Sequence, residues 1–144
     1  MTDILAGLNP AQKQAVIHQG SPLLLLAGAG SGKTRVLTHR AAYFVAQKMA
    51  LPSQVLLLTF TNKAAEEMKQ RTSKLLSSSS GINQNMFAGT FHSFCCRILR
   101  REGVHIGVSP DFNIYDSSDQ EILVKNIIND LNLTTKEFRP ASVL

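Results

Sequence analysis

Lys33 and Thr34 close a run of small residues, Ala27-Gly28-Ala29-Gly30-Ser31-Gly32, that follows four leucines, Leu23 to Leu26. An apolar run of strand length, a glycine-rich turn, a Lys-Thr pair and a helical pattern occur in the order that a phosphate-binding loop requires. The helical pattern is carried by Leu37, Ala41, Phe44 and Val45, spaced i, i+4, i+7, i+8. Gly28, Gly30 and Gly32 can adopt backbone angles closed to other residues, so that several N–H groups face one concavity. The N-terminus of the following helix adds its dipole and its unpaired amides. In such a loop Lys33 reaches the β- and γ-phosphates of a nucleoside triphosphate, and the Thr34 hydroxyl holds Mg²⁺. The general pattern has Gly where this chain has Ala27. Alanine still allows close approach of the backbone, provided that its φ is negative.

Two further segments sit where a strand pattern gives way to a helix pattern. They are Thr59-Phe60-Thr61-Asn62-Lys63 and Gly89-Thr90-Phe91-His92-Ser93. In open parallel sheets, ligands bind outside the carboxyl ends of the strands, so both segments are expected on the edge that carries the phosphate loop. Each offers hydroxyls and a helix N-terminus for phosphate oxygens, and a ring able to stack on a base. Taken one at a time, the residues favour plainer roles. Phe60 suits the core better than a stacking platform, Thr61 and Thr90 are good N-caps, and His92 is an ordinary exposed histidine.

The elements that must position these groups follow from periodicity and caps. Residues 8 to 17 read as a short helix with Asn9 as N-cap, Pro10 in the first helical position and Gln12 three residues past the cap. Leu8, Ala11, Ala15 and Val16 form its apolar side. His18 to Pro22 is a turn into the first strand, which the leucines from Leu23 are expected to form. Residues 55 to 59 are apolar without alternation, the mark of a second strand buried on both faces. Asn62 to Leu76 read as a helix with Ala64, Ala65, Met68 and Leu75 inside and a Glu67–Arg71 pair outside. Ser77 to Gly81 reads as a flexible loop, and Met86 to Gly89 as a third strand. Phe91, Phe94, Cys95, Ile98 and Leu99 mark a helix over Phe91 to Arg101, whose Arg97, Arg100 and Arg101 suit a solvated face better than phosphate contact. Beyond a loop from Gly103 to Tyr115, Ser118 and Glu121 form a capping box for a helix with Val124, Ile127, Ile128 and Leu131 on its apolar face. Thr134 or Thr135 would cap one more short helix, disturbed by Pro140. Alternating strands and helices predict an α/β fold with a parallel sheet.

The bulk composition agrees. The 144 residues are 44% hydrophobic and 17% charged, as in a soluble globular protein. Fifteen Lys and Arg against ten Asp and Glu give a formal charge of +5, which favours a polyanionic partner. Cys95 and Cys96 are adjacent, unsuited to an ordinary disulfide, and no spacing resembles a metal cage. There is no signal-like start and no apolar run long enough for a bilayer, so a cytoplasmic protein with no membrane partner is expected.

With these motifs in hand, the chain closely resembles the N-terminus of bacterial superfamily 1 DNA helicases of the UvrD/PcrA/Rep kind. Leu-Asn-Pro-Ala-Gln-Lys-Gln-Ala-Val (8–16) is similar to that family's Q motif, and residues 27–35 to its motif I, in which the first position is alanine. Residues 58–65 resemble motif Ia and residues 89–93 motif Ib. The resemblance implies a P-loop NTPase (RecA-like) sheet with flanking helices. Residues 1–112 would be the N-terminal part of motor domain 1A and residues 113–144 the beginning of helical subdomain 1B. It implies ATP and Mg²⁺ as cofactors, with Ala27, Gly28, Ala29, Gly30, Ser31, Gly32, Lys33, Thr34 and Arg35 around the nucleotide. By the resemblance Gln12 reads adenine through its amide; on its residues alone, a capping box with Asn9 is as good an account. Arg35 would lie near the nucleotide, although its place on the helix suits solvent equally. Phe60 would stack on single-stranded DNA, with Thr61, Asn62, Thr90 and His92 lining the strand's path and junctions with duplex as further partners.

The implied function is ATP-driven 3′–5′ translocation and duplex unwinding. The acidic Asp-Glu pair such chemistry needs is absent from these residues. This stretch alone is therefore expected to bind nucleotide weakly and to turn over little. An ATP- and DNA-binding module without catalysis, or the opening of a helicase–nuclease subunit, are the alternative readings.

Overall fold

The computed structural model describes residues 3–76, 85–134 and 138–143. They fall into two compact units, Met1–Arg97 and Ile98–Leu144. The predicted loop at Ser77 to Gly81 lies outside the described residues, as does Thr135.

The first unit contains α1 (Pro10–Ile17), α2 (Lys33–Ala46), β1 (Leu56–Thr59), α3 (Asn62–Leu76), β2 (Phe87–Thr90) and the start of α4 (Phe91–Glu102). β1 and β2 pair in parallel, with Leu56 opposite Phe87 and Thr59 opposite Thr90. Parallel neighbours need a crossover between them, and α3 lies on that connection. The in-register pairing ends both strands at the same level. Phe60 and Phe91, one residue further on, therefore leave the sheet side by side.

Three apolar clusters hold the unit, and α2 contributes to each. Ala42 and Val45 pack with Ile4 and Leu76; Val36 packs with Leu8, Ala15 and Val16; Ala41 packs with Leu57 and Met68. The buried face of α2 is broader and more polar than the periodicity predicted. Leu37 is exposed, while Thr38 and His39 are buried. Each polar group is satisfied. The Thr38 hydroxyl donates to the Thr34 and Arg35 carbonyls, and His39 Nδ1 lies 2.6 Å from the Ile4 carbonyl. Arg40 donates to the Ala15 carbonyl at 2.7 Å and the Val16 carbonyl at 3.3 Å, capping the end of α1. The helix that begins at Lys33 is thus fixed along its length against α1 and α3.

The predicted first strand is not formed. Leu23 to Leu26 carry no strand pairing, and Leu24 and Leu26 are 82% and 90% exposed. A strand exists only through its ladder, and among the described residues the ladder joins β1 to β2 alone. An uninterrupted apolar run predicts a strand buried on both faces, but the partner that would bury it is a non-local matter the run does not encode.

In the second unit, α4 continues into a 3-10 turn, Gly103–Ile106, followed by α5 (Ser117–Asp130) and α6 (Pro140–Val143). The capping box of α5 is not Ser118 with Glu121 but Asp116 with Asp119, two residues earlier. The Asp116 carboxylate accepts from the Asp119 amide at 2.9 Å and is held below the usual carboxylate range, chiefly by that bond and then by the Ser118 hydroxyl. Pro140 starts α6 rather than disturbing a helix, since its missing N–H would be unsatisfied at that position in any case.

Candidate phosphate-loop and nucleic-acid site

The loop between Ala27 and Thr34 is built by glycine geometry and by three polar side chains. Gly30 and Gly32 have φ of 75° and 88°, the left-handed region that other residues avoid. Lys48 and Asn132 are the non-glycine residues with positive φ among those described, so Ala27 and Ala29 meet the condition set for alanine. The Ser31 hydroxyl donates to the Gly28 carbonyl at 2.7 Å and closes a tight turn. Gly32 is the N-cap of α2 and supplies the first helical acceptor, to the Val36 amide at 3.0 Å. It carries no side chain to cap the amides that follow, which leaves the opening of α2 as an anion-binding end.

Lys33 folds back over the loop. Its Nζ donates to the Ala27 carbonyl at 2.9 Å and the Gly28 carbonyl at 2.8 Å. Thr34 is exposed beside it. Added Cβ atoms at Gly28 and Gly30 would meet nothing within 4 Å, so the loop is uncrowded at both positions. That uncrowded loop, a lysine held by neutral carbonyls and an uncapped helix start suit a triphosphate. The oxygen of Thr34 suits Mg²⁺, a hard cation that keeps waters and phosphate oxygens as its other ligands. Among the described residues, no group of three His, Cys, Asp or Glu could hold a metal ion by itself.

Gln12 and Arg35 flank the loop. The predicted capping box is present: the Gln12 amide donates to Asn9 Oδ1 at 2.8 Å, and the Asn9 amide donates to Gln12 Oε1 at 3.1 Å. Gln12 Nε2 also donates to the Ser31 carbonyl at 3.1 Å. Arg35 turns towards the N-terminal segment, where a Cβ added at Gly7 would lie 2.9 Å from its Nη2.

The ends of β1 and β2 carry the second set of residues. Phe60 is 89% exposed, so it lies outside the core that the described residues form. Its ring lies 5.6 Å from that of Phe91, tilted by 35°. The Thr61 hydroxyl accepts from the Ala64 amide and the Thr90 hydroxyl from the Ser93 amide, both at 3.2 Å, so each caps its helix. Thr90 is buried, whereas Asn62 and His92 are exposed. Gly89 has no room for a side chain, because a Cβ there would come within 2.7 Å of both the Phe87 ring and the Ser93 hydroxyl.

Phe91 was placed by periodicity on the apolar face of α4, yet it is 47% exposed beside Phe60. The signal that could have found it is the repeated Thr-Phe pair, Thr59-Phe60 and Thr90-Phe91, at the ends of two strands.

The sequence profile of the UvrD/REP helicase N-terminal domain matches residues 8–143. The chain is 50% identical over 141 residues to the ATP-dependent DNA helicase PcrA of Bacillus subtilis, covering 98% of this chain and 19% of that protein. It is 49% identical over 138 residues to the ATP-dependent DNA helicase UvrD1 of Mycobacterium leprae, covering 95% and 18%. PcrA of Leuconostoc citreum is 48% identical over 138 residues, covering 96% and 18%. The chain thus spans about a fifth of the length of the curated relatives it matches. It belongs to the UvrD/REP helicase N-terminal domain family.

Proposed function

We propose that this chain is the ATP-binding N-terminal part of a cytoplasmic DNA helicase that couples hydrolysis to 3′–5′ movement along single-stranded DNA and to unwinding at its junctions with duplex. Residues 1–112 begin a RecA-like motor domain, in which Leu23 to Leu26 join the parallel sheet in the complete protein. Residues 113–144 open a helical subdomain. The observation that carries the proposal is the open loop from Ala27 to Thr34 at the start of a helix pinned by three core clusters. The helicase relatives support the choice of substrate.

The residues divide the work. The loop amides and the start of α2 receive the phosphates. Lys33 exchanges two neutral carbonyls for a charged phosphate oxygen, a stronger acceptor. Thr34 holds Mg²⁺, which neutralises charge on the phosphates. Phe60 and Phe91 offer faces for bases, and Asn62, Thr61, Thr90 and His92 line the approach. In this chain alone the loop binds nucleotide with little turnover, since the Asp-Glu pair for metal and water is not among its residues.

Among the described residues, no helix is long and apolar enough to cross a membrane. Lys33→Ala in the complete protein is the test of the phosphate loop. ATP turnover is expected to fall to background, and unchanged turnover would remove the loop from the mechanism.

A further inference from the structure

Gln12 is the place where α1 reaches the phosphate loop. Its Oε1 is occupied by the Asn9 amide, which holds the side chain in one orientation, and its Nε2 is aimed at the Ser31 carbonyl. The approach depends on Gly32, because a Cβ there would stand 2.9 Å from Nε2. α1 is itself anchored, through buried Ala15 and Val16 and through Arg40 on its last carbonyls.

The consequence lies in the peptide that joins Ser31 to Gly32. Described peptide bonds are all trans, so the carbonyl and N–H of this unit point in opposite directions. Drawing the Ser31 carbonyl towards α1 turns the Gly32 N–H away from α1, and on the cradle reading that N–H is one of the donors offered to phosphate. Without Gln12, the bond that fixes this orientation from the side of α1 is lost, and the Gly32 N–H is held less firmly for a phosphate.

We infer that Gln12 is a positioning residue for the phosphate loop: by holding the Ser31 carbonyl it sets affinity for a triphosphate whatever base is attached. The inference rests on reading Ala27 to Thr34 as a triphosphate cradle. It is compatible with a contact to adenine, since Nε2 has a second proton and Oε1 a second lone pair.

The test compares Mg²⁺-tripolyphosphate, which has no base, with ATP on the complete protein. Affinities are measured by competition for wild type, Gln12→Met, Asn9→Ala and Lys33→Ala. Loss of one hydrogen bond corresponds to a two- to tenfold change, roughly. Gln12→Met is expected to weaken tripolyphosphate by about that factor and ATP by at least as much, while Asn9→Ala, which loses only the helix cap, stays close to wild type for tripolyphosphate. Should Gln12→Met fail to fold, Gln12→Leu carries the same expectation, because it also lacks the donor for Ser31 and adds no charge beside the loop. Weakened ATP with unchanged tripolyphosphate would overturn the inference and leave Gln12 as a reader of the base. Equal losses in Asn9→Ala would overturn it too, by assigning the effect to the stability of α1. Lys33→Ala binding tripolyphosphate as wild type does would instead remove the cradle itself, and the inference with it.

Discussion

Phe60→Ala separates a surface ring kept for a ligand from a ring kept for the fold. At 89% exposure only about a tenth of its surface is covered. An enclosed aromatic ring buries ~150–250 Å², so truncation uncovers about 20 Å², or ~0.5 kcal/mol at ~25 cal/mol per Å². The contact with Phe91 at 5.6 Å adds at most another ~0.5–1.5 kcal/mol to the cost. Against this, loss of one stacked base costs about 1–3 kcal/mol, which is roughly a 5- to 150-fold weakening of single-strand binding.

The assay is fluorescence anisotropy of a labelled oligonucleotide on the complete protein, repeated over a range of salt, with thermal unfolding in parallel. DNA affinity is expected to fall within that range while the unfolding midpoint moves little. The slope of log affinity against log salt is expected to stay as in wild type, because no cation is removed. If Phe60 and Phe91 form one platform, the Phe60→Ala/Phe91→Ala pair loses less than the sum of the single losses. Unchanged DNA affinity in Phe60→Ala would refute the stacking argument. A large fall in the unfolding midpoint would refute it differently, by making the ring part of the fold.

Two further predictions concern the scaffold. Gly89→Ala places a Cβ 2.7 Å from the Phe87 ring and the Ser93 hydroxyl, so denaturant unfolding should show a loss of about 1–3 kcal/mol, the usual cost of overpacking. A wild-type midpoint for that variant would mean that β2 and α4 part easily. For α5, the lowered Asp116 carboxyl contributes stability that is complete above the ordinary carboxylate pKa and is lost as pH falls through the lowered value. The protection factor of the Asp119 amide, its exchange rate corrected for the intrinsic pH dependence, should therefore fall in acid, and this fall should be much flatter in Asp116→Asn, which keeps the cap without the titration. Equal acid sensitivity in both proteins would assign the effect to another group.

What was legible in the sequence was local. Asn9-Pro10 with Gln12 encodes its own capping box, and the start of α3 at Asn62 follows from Thr61 as a cap. Both depend on atoms within three residues of one another. The loop geometry was legible for the same reason at Gly30 and Gly32, which take angles that glycine tolerates and their neighbours do not, but not at Gly28, which is not among the glycines with positive φ. The misplaced box of α5 had two acceptable donors of a cap two residues apart, and Asp116 prevailed because its carboxylate gathers both the Asp119 amide and the Ser118 hydroxyl. Non-local facts were out of reach. His39 is buried on α2 because the Ile4 carbonyl, 35 positions away, meets its ring, whereas the bonds that satisfy buried Thr38 lie within one helical turn. Gln12 could be assigned a cap or a base, yet its contact with Ser31 spans 19 positions in the chain and had no local signature.

The unpaired leucines sharpen what holds the phosphate loop in shape. At one end the loop enters α2, whose clusters fix Lys33 onward. At the other end it leaves Leu23 to Leu26, which have no ladder among the described residues. Between these ends, the turn at Ser31, the Lys33 ammonium on two carbonyls and the Gln12 amide are the polar ties. A phosphate that draws Lys33 away removes two of those bonds at once, so the remaining ties at Ser31 must hold the amides in place during binding. A neighbouring strand alongside Leu23 to Leu26 would fix Ala27 from the other side and bury four leucines as it did so. On the proposed reading, sheet completion and triphosphate affinity would be linked through one short stretch of backbone, and anything that ordered the leucines would stiffen the loop they lead into.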